Sequence, residues 1–74
     1  MDLKEAITIA KKEVTNPQAK AYLNAIPEAI EEYGSHGFNV QLLYVLANLQ
    51  TWRGDNARNA KIAMKAYLKS KKMI

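Results

Sequence analysis

The sequence contains no cysteine, one histidine, two prolines and three glycines among its 74 residues. Without cysteine, neither a disulfide nor a thiolate metal site can form, and a single histidine cannot complete a structural zinc site. A domain of this length buries roughly 60% of the surface of its unfolded chain, so its stability margin is small. The stability must therefore come from side-chain packing, and dimerisation is one way to add to it.

The groups that would carry out catalysis are also scarce. There is no cysteine nucleophile and no glycine-rich phosphate loop before a helix, and nothing in the sequence pairs His36 with a serine or an aspartate. Glu28, Glu31 and Glu32 have the spacing of an exposed acidic helix face rather than of an acid–base pair. The sequence therefore predicts a non-enzymatic protein with no cofactor, no metal and no small-molecule substrate.

Charge is missing from one long stretch, because no charged side chain lies between Glu32 and Arg53. Residues 40–52, VQLLYVLANLQTW, are apolar over about half of a helical wheel, which is typical of a helix buried by several neighbours. Polar residues in the uncharged stretch exclude a membrane span of about 20 mostly apolar residues. The amino-terminal sequence MDLKEAITIAKK lacks the apolar core of a signal peptide. We therefore expect a cytoplasmic protein without a membrane segment.

The helical periodicity predicts one all-α domain, residues 1–74, that forms a compact bundle of four helices. Helix 1 is predicted over residues 3–14, with Asp2 as its N-cap and Glu5 completing a capping-box pattern. Helix 2 is predicted to start after Asn16 and Pro17 and to end at Gly34. Pro27 interrupts it and predicts either a kink or a split. The kink is preferred because the apolar spacing continues across the proline.

The second half of the chain is predicted to form a pair of helices. Residues 35–39 are expected to be a loop, helix 3 to cover residues 40–52 and helix 4 to cover residues 56–71. Gly54 would end helix 3 and Asp55 would cap helix 4. Such a short connection predicts an antiparallel hairpin or a helix-turn-helix corner.

The two halves of the chain differ in charge. Residues 1–33 contain four lysines and six acidic residues, a net charge of −2, whereas residues 34–74 contain seven basic residues and one acidic residue, a net charge of +6. This asymmetry has two interpretations. The basic half contacts an anionic partner, or two packed helices of opposite charge complement each other within the fold.

Cationic side chains of helix 4 recur at spacings of three and four residues. They are Arg58, Lys61, Lys65, Lys69 and Lys72. On a helix they would form one strip roughly 20 Å long, suited to the phosphates of nucleic acid. Arg53 lies just before the strip, and the first turn of helix 4 contains Asn56, Arg58 and Asn59, whose side chains can contact bases. We predict nucleic-acid binding at these eight positions, and the alternative is a solvated lysine-rich face.

A protein-interaction module is the second hypothesis. Helix 3 is more apolar than a small bundle requires, and Ile9 and Ile62 lie outside the main apolar stripes. Tyr44 and Trp52 are of the residue types that dominate interfaces, so helix 3 and the turn after it are candidates for contact with a host factor or a second copy. The alternative for Trp52 is that it fills the end of the bundle.

The stretch YVLANLQTWRGDNARNAK, with AYLNAIPEAIEEYG before it, resembles short phage- and prophage-encoded proteins of Gram-positive bacteria. The resemblance covers about half of the chain and rests on one run of residues, namely Tyr44, Leu46, Asn48, Leu49, Trp52, Arg53, Gly54, Ala57 and Arg58. It implies a location in the bacterial cytoplasm and an accessory or regulatory binding role. It brings no catalytic residue and no specific partner.

Overall fold

The computed structural model describes Met1–Ile74 and contains four α-helices and no strand. The helices are α1 (Leu3–Glu13), α2 (Pro17–Asn24), α3 (Ile26–Ala47) and α4 (Asp55–Ser70). The prediction of an all-α bundle of four helices is confirmed. None of the four helices combines the length and the apolar character that crossing a membrane requires.

The first two helices start at the predicted caps. The carboxylate of Asp2 accepts a hydrogen bond from the backbone N–H of Glu5 at 2.8 Å. The Asn16 side chain accepts from the N–H groups of Gln18 and Ala19 at 2.9 and 3.1 Å, and Pro17 is the first residue of α2. Each cap satisfies N–H groups that have no partner inside the helix, so these starts are encoded locally.

The chain splits before Pro27, and the preferred prediction of a kinked single helix is wrong. Helix α2 ends at Asn24, Ala25 is a turn residue, and Pro27 is the second residue of α3. A proline ring clashes with the carbonyl four residues earlier and has no N–H to donate. In the first turn of a helix neither property matters, and Pro27 occupies that position.

Helix α3 is kinked at Gly34, whose φ of 67° and ψ of −147° are not helical. Gly37 is buried just after the kink, and a Cβ there would clash with the carbonyl oxygen of Ala29 and the Cβ of Tyr33. The two halves of α3, residues 26–33 and 35–47, therefore approach each other closely at a glycine. The prediction of a loop over residues 35–39 is wrong, because these residues are helical.

Helix α3 ends at Ala47, five residues before the predicted end at Trp52. The Asn48 amide donates to the carbonyl of Tyr44 at 2.9 Å, a local bond that competes with helix continuation. Leu49 and Trp52 then enter the core from the connection, with 1% and 9% of their surfaces exposed. Core packing of these two side chains thus takes precedence over helical periodicity.

The connection between α3 and α4 covers residues 48–54, and its last residue is Gly54. Gly54 has a φ of 113°, is the residue before α4, and accepts a hydrogen bond from the N–H of Arg58 at 3.0 Å. Gly54 therefore does not end α3. Asp55 does not cap α4 either, because it is the first helical residue and its carboxylate pairs with the Arg58 guanidinium at 3.0 Å.

The helices pack as two main pairs, α1 with α4 and α2 with α3. The α2–α3 pair includes the Gln41 amide, which donates to the carbonyl of Tyr22 at 2.9 Å. Helix α3 joins α4 through the Tyr67 hydroxyl, which is 2.6 Å from the Asn39 side-chain oxygen. The largest fully buried side chains come from α2, α3, the connection and α4, namely Leu23, Leu42, Val45, Leu49, Met64 and Leu68.

Candidate nucleic-acid interface

The largest concavity on the surface is a groove of about 600 Å³ between residues 50–54 and the first half of α4. It lies where the sequence predicts the binding site. Its lining includes four cationic side chains, one acidic side chain and one exposed apolar side chain, namely Arg53, Arg58, Lys61, Lys65, Asp55 and Ile62. We call this surface the cationic groove.

One carboxylate fixes the wall of the cationic groove. The indole N–H of Trp52 donates to Glu13 Oε1 at 3.3 Å, and the amide of Asn56 donates to Glu13 Oε2 at 2.7 Å. Glu13 is the last residue of α1, so it connects α1 to the connection and to the first turn of α4. Asn56 is therefore engaged within the fold, although the sequence assigned it to nucleic-acid contact.

Glu13 is the residue of this region that sequence reasoning missed. Its partners lie 39 and 43 positions away in the chain, so no local pattern points to them. Its position at the end of α1 is also one where the helix dipole slightly disfavours a negative charge. The two hydrogen bonds from Trp52 and Asn56 explain why an acidic side chain fits there.

Lys61 also contributes to the fold. Its ammonium group donates to the backbone carbonyl of Trp52 at 2.6 Å, and the side chain is half-buried. The bond holds α4 against the connection and leaves the charge at the groove, where the ammonium has further N–H groups to donate. Lys61 is therefore both a structural contact and a source of positive potential.

Arg58 forms the one ion pair of the molecule, with Asp55. The side chains of Arg58 and Asp55 are 71% and 90% exposed, so water screens the attraction and the pair contributes little to stability. Since the pair lies on the open surface, the Arg58 guanidinium can exchange Asp55 for another anion at small cost.

The remaining predicted cations and amides are all exposed, and all but one either line the cationic groove or lie on α4. Arg53 and Lys65 line the cationic groove, while Asn59 and Lys69 are exposed on α4 outside its lining. Lys72 is the exception, because α4 ends at Ser70 and Lys72 has a φ of 59°. The helical strip therefore ends at Lys69 and is about 16 Å long rather than roughly 20 Å.

No ion pair joins the acidic and basic halves of the chain. The single pair lies within α4, and Glu28, Glu31 and Glu32 are exposed without a cationic partner. The structure therefore contains no ion pair that would support internal complementarity. The positive charge of the cationic groove faces solvent.

The two predicted protein-interface residues lie in different environments. Trp52 is 9% exposed and belongs to the core, so it fills the end of the bundle. Tyr44 is 50% exposed, and its ring lies 5.6 Å from that of Tyr22. Tyr44, Tyr33, Val40 and Ala29 line a second groove of about 410 Å³, which we call the tyrosine groove.

The arrangement contains no group of three or more histidine, cysteine, aspartate or glutamate side chains placed to hold a metal ion. Comparison with known proteins adds no assignment, because no family model, no curated protein and no solved structure matches the chain. The geometry of the two grooves is therefore the basis for the function proposed below.

Proposed function

We propose that the protein binds nucleic acid through the cationic groove and is a small non-enzymatic binding protein. The observation that carries the proposal is the composition of the groove, which gathers Arg53, Arg58, Lys61 and Lys65 around one acidic residue, Asp55. A concave surface of one charge sign concentrates counter-ions of the opposite sign. Phosphate groups at regular intervals are the anions that such a row of cations matches.

The start of α4 forms part of the lining of the groove. The first N–H groups of a helix have no partner inside it, and the N-terminus carries roughly half a positive charge. Gly54 precedes α4 without a side-chain cap, and Gly54, Asp55 and Ala57 line the groove. Backbone N–H groups at a helix start bind phosphate oxygens in many proteins, so this end of α4 supports the same ligand as the cations do.

Arg53 and Lys65 are the positions at which the proposal is best tested. Both are exposed, neither makes a side-chain hydrogen bond within the fold, and both line the groove. Lys61 and Asn56 are less suitable because their side chains are bonded to Trp52 and Glu13. A double change, Arg53→Glu with Lys65→Glu, therefore alters the groove without breaking a contact that holds the bundle together.

The test is fluorescence anisotropy with labelled DNA and RNA at several salt concentrations. We expect micromolar or tighter binding that weakens steeply as salt rises, because binding releases counterions from the phosphates. The variant Arg53→Glu/Lys65→Glu should weaken binding by about 100-fold or more, since two phosphate contacts are replaced by two repulsions.

The matched control is Lys4→Glu with Lys20→Glu, which changes the net charge by the same amount. Lys4 and Lys20 are exposed on α1 and α2 and neither lines the cationic groove. Affinity in the control should fall by much less, through long-range electrostatics alone. Absence of binding at low salt, or an equal loss in both variants, would refute the proposal.

A protein contact through the tyrosine groove is the second candidate function. Tyr33 and Tyr44 are 68% and 50% exposed and lie beside Val40 on one surface. Exposed tyrosines around an apolar groove are typical of protein interfaces, where their rings are buried and their hydroxyls remain in contact with water. A second copy of the chain or a host factor would fit this surface. The resemblance to phage-encoded proteins would give either function a regulatory or accessory role in a bacterial cytoplasm.

A further inference from the structure

We infer that the cationic groove and the exposed face of α4 bind double-helical DNA, with cations at both ends of the face on the two phosphate ridges of the major groove. This inference rests on the proposed function and specifies the form of nucleic acid. It follows from three features of α4 and its surroundings, namely the lack of a stacking surface, the length of the cationic face and the apolar side chains at its middle.

The cationic groove offers no aromatic ring on which an unpaired base could stack. Trp52 is the one aromatic residue of its lining, and it is 9% exposed with its N–H bonded to Glu13. The exposed rings of Tyr33 and Tyr44 line the other groove. Proteins that bind single strands combine a cationic channel with exposed aromatic rings, because unpaired bases can stack their faces on such rings. The cationic groove has the cations but no exposed aromatic ring.

The exposed face of α4 has the length needed to cross a major groove. Ala57, Ala60, Met64 and Leu68 are buried on one side of the helix, and the opposite side is free from Arg58 to Lys69. Eleven steps of 1.5 Å separate these two cations by about 16 Å along the axis. The major groove of B-form DNA is about 12 Å wide, so side chains at the two ends can reach phosphates on both ridges.

Two exposed apolar side chains lie in the middle of the same face, beside Lys65. Ile62 is 59% exposed and Ala66 is exposed one turn later, and both lie between the cationic ends. Apolar side chains can contact the floor of a major groove, where thymine methyl groups lie, but they form no hydrogen bond to a base. The Asn56 amide is held by Glu13, so Asn59 is the one amide of this helix left to contact a base. Phosphate contacts therefore dominate, and sequence preference is weak.

Anisotropy titrations with a short DNA duplex, its separate strands, an RNA duplex of equal length and a scrambled DNA duplex test the inference. At one salt concentration we expect the DNA duplex to bind about tenfold tighter than either strand and tighter than the RNA duplex, whose major groove is too narrow to admit a helix. The scrambled duplex should bind within about threefold of the original. With Arg53, Arg58, Lys65 and Lys69 on phosphates, the logarithm of affinity should fall against that of salt with a slope of about −3 to −4.

A variant at the far end of the exposed face of α4 distinguishes a contact with the second phosphate ridge from a general effect of removing one positive charge. Lys69→Ala should weaken duplex binding about tenfold and lower the salt slope by about one, while Lys20→Ala on α2 should leave both unchanged. A single strand that binds as tightly as the duplex, or an RNA duplex that binds tighter, would overturn the inference and leave the proposed function standing. Failure of every nucleic acid to bind would refute the proposed function as well.

Discussion

Three hydrogen bonds between distant residues hold the wall of the cationic groove, and Glu13 at the end of α1 accepts two of them. Glu13 accepts hydrogen bonds from the Trp52 indole and the Asn56 amide, and Lys61 donates to the Trp52 carbonyl. None of these bonds follows a local sequence pattern, because each joins residues at least nine positions apart. The sequence could identify the cations of α4 from their spacing. It could not separate Lys61 and Asn56, which have structural partners, from Arg53 and Lys65, which have none.

Because Glu13 accepts these two hydrogen bonds, replacing it should lower the free energy of unfolding. The change Glu13→Ala leaves the indole N–H and the Asn56 amide without their acceptor, so we expect a loss of about 1–2 kcal/mol in the free energy of unfolding. Urea unfolding followed by circular dichroism measures it. Glu31→Ala, at an exposed position without a side-chain hydrogen bond, is the control and should change stability by less than about 0.5 kcal/mol. Equal effects of the two changes would contradict the assigned role of Glu13.

At the scale of helices, local chemistry sets the starts of α1 and α2, and core packing contributes to the end of α3. The caps at Asp2 and Asn16 depend on residues within one turn and were visible in the sequence, whereas Pro27 predicted an interruption without deciding between a kink and a split. The end of α3 was not visible in the sequence, because it depends on Leu49 and Trp52 entering the core. Helical periodicity continues through both side chains, and only the assembled bundle distinguishes a helix from a turn there.

The kink inside α3 gives a prediction at the same scale. Gly37→Ala would place a Cβ against the Ala29 carbonyl oxygen and the Tyr33 Cβ, and a backbone atom cannot move aside as a flexible side chain can. We expect a loss of about 3 kcal/mol in the free energy of unfolding, the upper range for overpacking. Thermal and urea unfolding measure it, with Ser35→Ala in the same helix as the exposed control. A Gly37→Ala protein as stable as this control would show that the two halves of α3 are not in close contact.

At the scale of the whole molecule, the two grooves present different chemistry. The cationic groove is formed by α4 and the connection before it, whereas the tyrosine groove is formed by the two halves of α3. No residue lines both. A nucleic acid and a protein partner, or a second copy, could therefore occupy the molecule together.

For the whole molecule we predict self-association through the tyrosine groove. If a second copy covers Tyr33 and Tyr44, light scattering coupled to size-exclusion chromatography should give a mass that rises with concentration towards a dimer. The double change Tyr33→Ser/Tyr44→Ser should return the mass to that of a monomer, because it removes the exposed rings from the contact. A native protein that stays monomeric over the whole concentration range would leave a different protein as the partner for this surface.

The pairing of α1 with α4 affects the order in which the helices can fold during synthesis. Helix α1 is synthesised before α4 and packs mainly against it, while α2 and α3 are neighbours in the chain. Contacts between distant segments form late because a long loop must close first. During synthesis, the fully buried Ala6 and Ala10 of α1 would therefore stay open to water until α4 has emerged, and the α2–α3 pair would be the first part able to assemble.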